Sequence, residues 1–121
     1  MPDSKRSPED LLPLTHLSFL ILLALAGEDL HGYAIIKAVQ QQWGATFSPG
    51  TGTFYSALNR MKKEGLLQEV TASVEAPEMD SRRRYYAITE FGRKALQAEA
   101  HRLDKLVTTA RSLDIFPVKG T

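Results

Sequence analysis

Residues 48–65 read Ser48-Pro49-Gly50-Thr51-Gly52-Thr53-Phe54-Tyr55-Ser56-Ala57-Leu58-Asn59-Arg60-Met61-Lys62-Lys63-Glu64-Gly65, and the fold turns on how this stretch is parsed. Ser48-Pro49 is a helix-start signature, a side-chain acceptor followed by a residue with no backbone N–H to lose. Gly65 is a helix stop. Between them Phe54, Ala57, Leu58 and Met61 recur at helical spacing and form one apolar stripe. The other face carries Thr51, Tyr55, Ser56, Asn59, Arg60, Lys62 and Lys63. The stretch predicts an amphipathic helix that runs to about Glu64.

Towards the N-terminus, Gly44 closes a second helix, about His31 to Trp43, with Ile35, Ile36, Val39 and Trp43 on its apolar side and Asp29 as its cap. Before it, Thr15 caps a helix from His16 to about Ala26 that ends at Gly27. Leu17, Phe19, Leu20, Ile21, Leu22, Leu23 and Leu25 make this first helix apolar on nearly every side. Such a helix must be covered all round, which points to a second copy of the chain. Residues 1–14 read as a loose, polar, proline-containing arm. Phe19 and Trp43 suit the core, with the lining of a ligand cavity at a dimer interface as the other option.

Towards the C-terminus, Leu66 to Glu75 alternates with Leu66, Val70, Ala72 and Val74 on one side, which predicts a strand. Ala76 to Ser81 predicts a turn, and Arg82 to Thr89 a second strand with Tyr86 and Ile88 on one side. Thr89 caps a last helix from Glu90 to about Leu113, followed by a tail at 114–121. Leu96, Leu103 and Ala110 recur every seven residues, with Leu106 and Leu113 offset by three, as in an a/d seam that Glu99 interrupts. At 1.5 Å per residue this helix spans roughly 36 Å, too long to be covered by one small body. It is expected to cross a partner subunit and cover Leu17, Phe19 and Leu20 of that subunit's first helix. The order of helices, hairpin and helix gives an α+β, mostly helical fold. It is a winged helix-turn-helix over 15–89 with a C-terminal dimerisation helix over 90–113. In this plan the third helix enters the major groove and the hairpin lies beside the backbone.

The 121 residues are 43% hydrophobic and 24% charged, a globular composition for one domain. The absence of cysteine excludes a disulfide scaffold, a thiolate zinc site and a cysteine nucleophile, and it fits a reducing cytoplasm. The net charge of +1 offers no bulk attraction to nucleic acid. Its placement does: Leu30 to Lys63 contains no Asp or Glu, while Lys37, Arg60, Lys62 and Lys63 contribute +4. A surface facing phosphates should lack carboxylates. Arg82-Arg83-Arg84 is the densest basic run, suited to phosphate contact or to pairing with Glu75, Glu78 and Asp80 across the turn. The longest apolar run, Leu17 to Ala26, is about half a membrane span, and no signal-peptide cleavage pattern adjoins it, so a soluble cytoplasmic protein is expected. His16, His31 and His101 fall on three different helices without metal-ligand spacing. With no phosphate loop or nucleophile elbow either, no catalytic residue, metal or cofactor is expected, and His31 is assigned to the start of the second helix.

Leu30-His31-Gly32-Tyr33-Ala34-Ile35, the stretch Ser48 to Met61, Glu64-Gly65-Leu66-Leu67, and Arg82 to Thr89 with Gly92-Arg93 together resemble the PadR family of bacterial transcriptional regulators. The resemblance covers about residues 17–113 and is to the small class with a single C-terminal helix. It implies a winged-helix homodimer that binds operator DNA, commonly as a repressor and in some members released by a small-molecule effector. Tyr55 matches the family's recognition-helix tyrosine, Leu58 and Met61 its core positions, and Tyr86, Ile88 and Thr89 the strand that leads into the last helix. The chain departs from the pattern at Asp80-Ser81, where the wing usually has glycine, and at Phe54, where a smaller aliphatic residue is usual.

The reading assigns base contacts to Thr51, Thr53, Tyr55 and Asn59, with Tyr55 also open to a phosphate contact or a packing role. It assigns phosphate contacts to Arg60, Lys62, Lys63, Arg82, Arg83 and Arg84, and Lys37 beside them. The dimerisation set is Leu17, Phe19, Leu20, Leu96, Leu103, Leu106, Ala110 and Leu113. The rival is a winged-helix module for protein–protein contact alone, which would need neither the acid-free stretch nor Tyr55, Asn59 and Arg60 exposed together.

Overall fold

The computed structural model describes residues 6–43, 49–70 and 84–116. Thr15 ends an extended lead-in and caps α1 (His16–Gly27), its hydroxyl accepting from the Ser18 N–H at 3.0 Å. Leu20, Ile21, Leu22 and Leu25 of α1 are buried among α2, α4 and the sheet, so this apolar helix is the centre of the core. Leu30–His31 then form a two-residue strand, β1, before α2 (Gly32–Trp43) places Ile35 and Val39 in the same core. The expectation that Asp29 caps α2 and that His31 lies within it is corrected. His31 is the last strand residue, and its Nδ1 accepts the Ala34 N–H at 3.2 Å, so it caps the helix itself.

The third helix, α3 (Thr51–Lys63), buries Phe54, Ala57, Leu58 and Met61, the stripe read from the sequence. Its N-cap is Gly50, which makes no side-chain cap bond, and Ser48 lies outside the described residues. Gly65 follows with φ +82°, the left-handed turn that releases the chain from the helix. The strand comes one residue later than expected, as β2 (Leu67–Val70). Leu66 instead closes the turn: its N–H donates to Met61 O at 3.0 Å and its carbonyl accepts the Thr89 N–H at 3.1 Å. The expected continuation through Ala72 and Val74, the turn, Arg82 and Arg83 lie outside the described residues.

β3 (Tyr85–Ile88) is the middle strand of an antiparallel sheet ordered β1-β3-β2, with Leu30 opposite Tyr86 and Leu67 opposite Ile88. Tyr85, Tyr86 and Ala87 are all buried, so the one-sided pattern expected of this strand does not hold. Thr89 then caps α4 (Glu90–Ser112) by accepting the Gly92 N–H at 2.9 Å, and it donates to Gly65 O at 2.5 Å.

Two further expectations change. Much of the anticipated arm is built into the body: Pro8–Leu11 form a short 3-10 turn against α4, and Leu11 and Leu14 pack on the core. Arg6 donates to Glu64 O and lies 4.9 Å above the Phe91 ring. Glu99 holds this segment. It is only 2% exposed, accepts the Leu14 N–H at 3.0 Å, and receives both Nε (2.6 Å) and Nη2 (3.0 Å) of Arg102. It is an anchor for the N-terminal segment, not a flaw in a dimer seam. Leu17, Leu20 and Leu96 are also withdrawn from the dimerisation set, because the chain buries them in its own core. Phe19 is half-buried against that core, and the Trp43 side chain lies outside the described residues.

Candidate nucleic-acid interface

The site starts at the junction of β1 and α2. Once His31 has capped α2, its ring lies parallel to Tyr33 at 6.4 Å and edge-on to Tyr85 at 5.4 Å. Lys37, one turn on, carries its ammonium 5.5 Å from the Tyr33 ring centre. Gly32 between His31 and Tyr33 has no side chain for a direct reason: a Cβ there would stand 2.5 Å from the Tyr55 hydroxyl and 2.9 Å from its ring. Tyr55 of α3 therefore rests on the first turn of α2. It has the packing role left open by the sequence, yet stays 40% exposed.

The result is a recess of about 520 Å³ lined by His31, Gly32, Tyr33, Tyr55, Asn59, Arg84 and Tyr86. It brings together three residues expected to touch DNA: Tyr55 and Asn59 from α3 and Arg84 from the start of β3. Thr51 and Thr53 are exposed in the first turn of α3, and Lys63 is exposed at its end. Burial pushes the Tyr86 phenol above its ordinary range, and Tyr86 lines the recess as a neutral group.

The cations are arranged less simply than their sequence suggests. Arg60 turns towards α1, donating to Ser18 Oγ at 2.7 Å and lying 4.0 Å from Glu64, in a separate hollow shared with Leu14 and Thr15. Lys62 donates to Glu69 Oε2 at 2.6 Å, and Arg84 approaches the same oxygen at 3.7 Å. The hydrogen bond from Lys62, aided by both positive charges, holds the Glu69 carboxyl below its ordinary range. Arg82 and Arg83 lie outside the described residues. Sequence reasoning gave His31, Gly32 and Tyr33 no part in this surface, although a histidine-glycine pair at a helix start was a usable signal. Glu69 it did not single out, because only the fold brings that residue to Lys62.

The recess joins the exposed polar face of α3 to the start of the wing strand, so both elements present polar and aromatic groups to one surface. Among the described residues no three His, Asp or Glu side chains are grouped to hold a metal ion, and no helix is long and apolar enough to cross a membrane. Residues 21–98 match the model of the transcriptional regulator PadR-like family, nearly two-thirds of the chain. The chain belongs to that family. PadR-like regulators control transcription and are not enzymes, and the fold is their winged helix. The structure is similar to a PadR-like transcriptional regulator from Bacillus cereus, at 29% identity over 84% of this chain and 93% of that one, with a TM-score of 0.67. It is also similar to a PadR family transcription regulator from Clostridium difficile, at 26% identity over 81% of this chain and 97% of that one, with a TM-score of 0.65. In sequence it is 37% identical over 87 residues to a 37.1 kDa transposon protein of Streptomyces fradiae, matching 72% of this chain and 23% of that protein. The PadR-like chain thus spans about a quarter of that relative.

Proposed function

We propose that this PadR-like regulator is a homodimeric repressor that reads a pseudo-palindromic operator with α3 and its wing, and that a small-molecule effector releases it. The observation that carries the reading is the single recess joining Tyr55 and Asn59 of α3 to Arg84 of the wing strand. Asn59 has the chemistry for paired hydrogen bonds to adenine in the major groove, and Thr51 and Thr53 stand at the helix start, where base edges come within reach. Lys63 and Lys37 are the described cations best placed for phosphates, and Arg82 and Arg83 are assigned to phosphates with them. The winged-helix unit spans 15–89, the dimerisation helix spans 90–113, and the protein works in the cytoplasm with the chromosome.

The dimer is supported by the second half of α4. Leu106 is 55% exposed and Leu113 65% exposed, Val107 is exposed beside them, and Leu103 and Ala110 are only half-covered. At helical spacing they form an apolar stripe along α4 that a second copy would bury. Selection from a random duplex pool, with light scattering on the same sample, tests both parts. The expected outcome is a mass twice 13.5 kDa and an enriched two-fold sequence with half-sites about 34–36 Å apart. A monomer that enriches no sequence would overturn the proposal.

A further inference from the structure

We infer that Glu69 is a specificity-determining residue of the DNA interface, one that keeps Lys62 and Arg84 from adding sequence-independent attraction to phosphates. The inference rests on the DNA-binding reading above. Its basis is placement. Glu69 is on β2, in register with Tyr86, whose side chain lines the recess. Its carboxylate accepts from Lys62 at the end of α3 and lies 3.7 Å from Arg84 at the start of β3, so one anion spans the recognition helix and the wing. Arg84 lines the recess as well, so this anion acts on the proposed contact surface itself. Among these three groups the net charge is +1, where the two cations alone would present +2.

The fold alone gives little reason for this arrangement, since exposed ion pairs add little to stability. Binding to DNA gives a strong one. Non-specific affinity grows with each phosphate a protein neutralises, and useful recognition depends on the ratio of specific to non-specific affinity. An anion that occupies two cations lowers the first quantity while leaving Tyr55 and Asn59 exposed to read bases. The low pKa of Glu69 keeps that anion in place across the neutral range.

The test is Glu69→Gln, with Glu9→Gln as a control of equal charge change on the exposed turn near the N-terminus. Fluorescence anisotropy follows a labelled random-sequence duplex from about 50 to about 200 mM salt. Glu69→Gln should steepen the slope of log K against log salt by about 0.9 for each bound protomer and tighten binding about tenfold or more at about 0.1 M salt for a dimer. Glu9→Gln should change neither, and adding Lys62→Met to Glu69→Gln should reverse part of the gain. If the wild-type chain binds the duplex and Glu69→Gln leaves slope and affinity unchanged while its melting temperature falls, Glu69 serves the hairpin only and the inference is overturned. An equal gain in Glu9→Gln would overturn it too, by showing an effect of bulk charge. If the wild-type chain binds no duplex even at the lowest salt, the DNA-binding reading fails with it.

Discussion

Replacing Glu99 by alanine should weaken the fold by a margin that the surroundings of its carboxylate define. Two partners are lost. The Leu14 N–H, 3.0 Å from Oε2 and partly buried, is left without its acceptor, which costs roughly 1–3 kcal/mol. The Arg102 guanidinium loses a two-pronged partner, but its side chain is 38% exposed and turns to water, so this adds little. The larger penalty of an orphaned buried charge does not apply, because the charge left behind is not buried. The loss is about 1–3 kcal/mol, or a fall in Tm of roughly 4–12 °C for a chain of this size. Thermal unfolding by circular dichroism at one fixed protein concentration measures it, since the Tm of a dimer depends on concentration. Acid titration adds a second, independent readout. The bonds from Arg102 and then from the Leu14 N–H hold the Glu99 carboxyl below its ordinary 4.5, against the opposing effect of burial. Its contribution is therefore complete above about pH 4.5 and is lost as the pH falls through the lowered folded value. The stability gap between wild type and Glu99→Gln should accordingly be widest near neutrality and close in acid. A Glu99→Ala protein that melts within about 2 °C of wild type, or a Gln gap that widens in acid, would refute the reasoning.

Other perturbations probe the remaining contacts. Gly92→Ala would put a Cβ 1.9 Å from the Leu66 carbonyl oxygen, a backbone atom with no room to move, so a loss of about 3 kcal/mol or more is expected in chemical denaturation. A cost under about 1 kcal/mol would show that α4 can shift away from β2. Gly32→Ala meets only the far end of the Tyr55 side chain, so it should cost about 1 kcal/mol in stability yet weaken operator binding about tenfold as Tyr55 leaves its seat, and equal affinity would remove Tyr55 from the interface. Leu106→Asp removes no contact from the chain's own core, so it should leave helix content unchanged while raising the dimer dissociation constant at least about tenfold by light scattering. An unchanged mass would place the dimer elsewhere.

How much of this was legible in the sequence depended on how far each residue's partner lies along the chain. The stripe of α3 and the caps at Thr15 and Thr89 were read correctly because their causes sit within three or four residues. β1 was missed because two residues have no periodicity to show, and Leu30–His31 is a strand only through its pairing with Tyr85 and Tyr86. Glu99 broke the heptad pattern in the sequence, and nothing nearby explained it, since its backbone partner is Leu14. The acid-free window from Leu30 to Lys63 was real, but charge is a property of surfaces. Glu64 and Glu69, just past its end, fold back on Arg60 and Lys62, so two of the four cations counted there are already engaged within the chain.

The motifs that carried the family resemblance were recognisable for a reason the sequence could not display, namely that they meet in space. Gly32 is bare so that Tyr55 can rest on α2, which ties the histidine-glycine-tyrosine motif to the helix that follows it. Gly92 is bare so that α4 can begin against Leu66, and Thr89 fixes that approach from both sides, through Gly65 O and the Gly92 N–H. The Gly32–Tyr55, Gly65–Thr89 and Leu66–Gly92 pairs each cross 23 or more residues, so a substitution at one member changes the constraint on the other. The two locks also divide the labour of the molecule. The Gly32–Tyr55 contact sets the angle between α2 and the helix proposed to enter the groove. The Gly65–Thr89–Gly92 cluster sets the direction in which α4 leaves the body, and hence, in a dimer, the separation of the two copies of α3. Substitutions at the first lock should therefore change affinity for a single half-site, whereas those at the second should change the preferred spacing between half-sites.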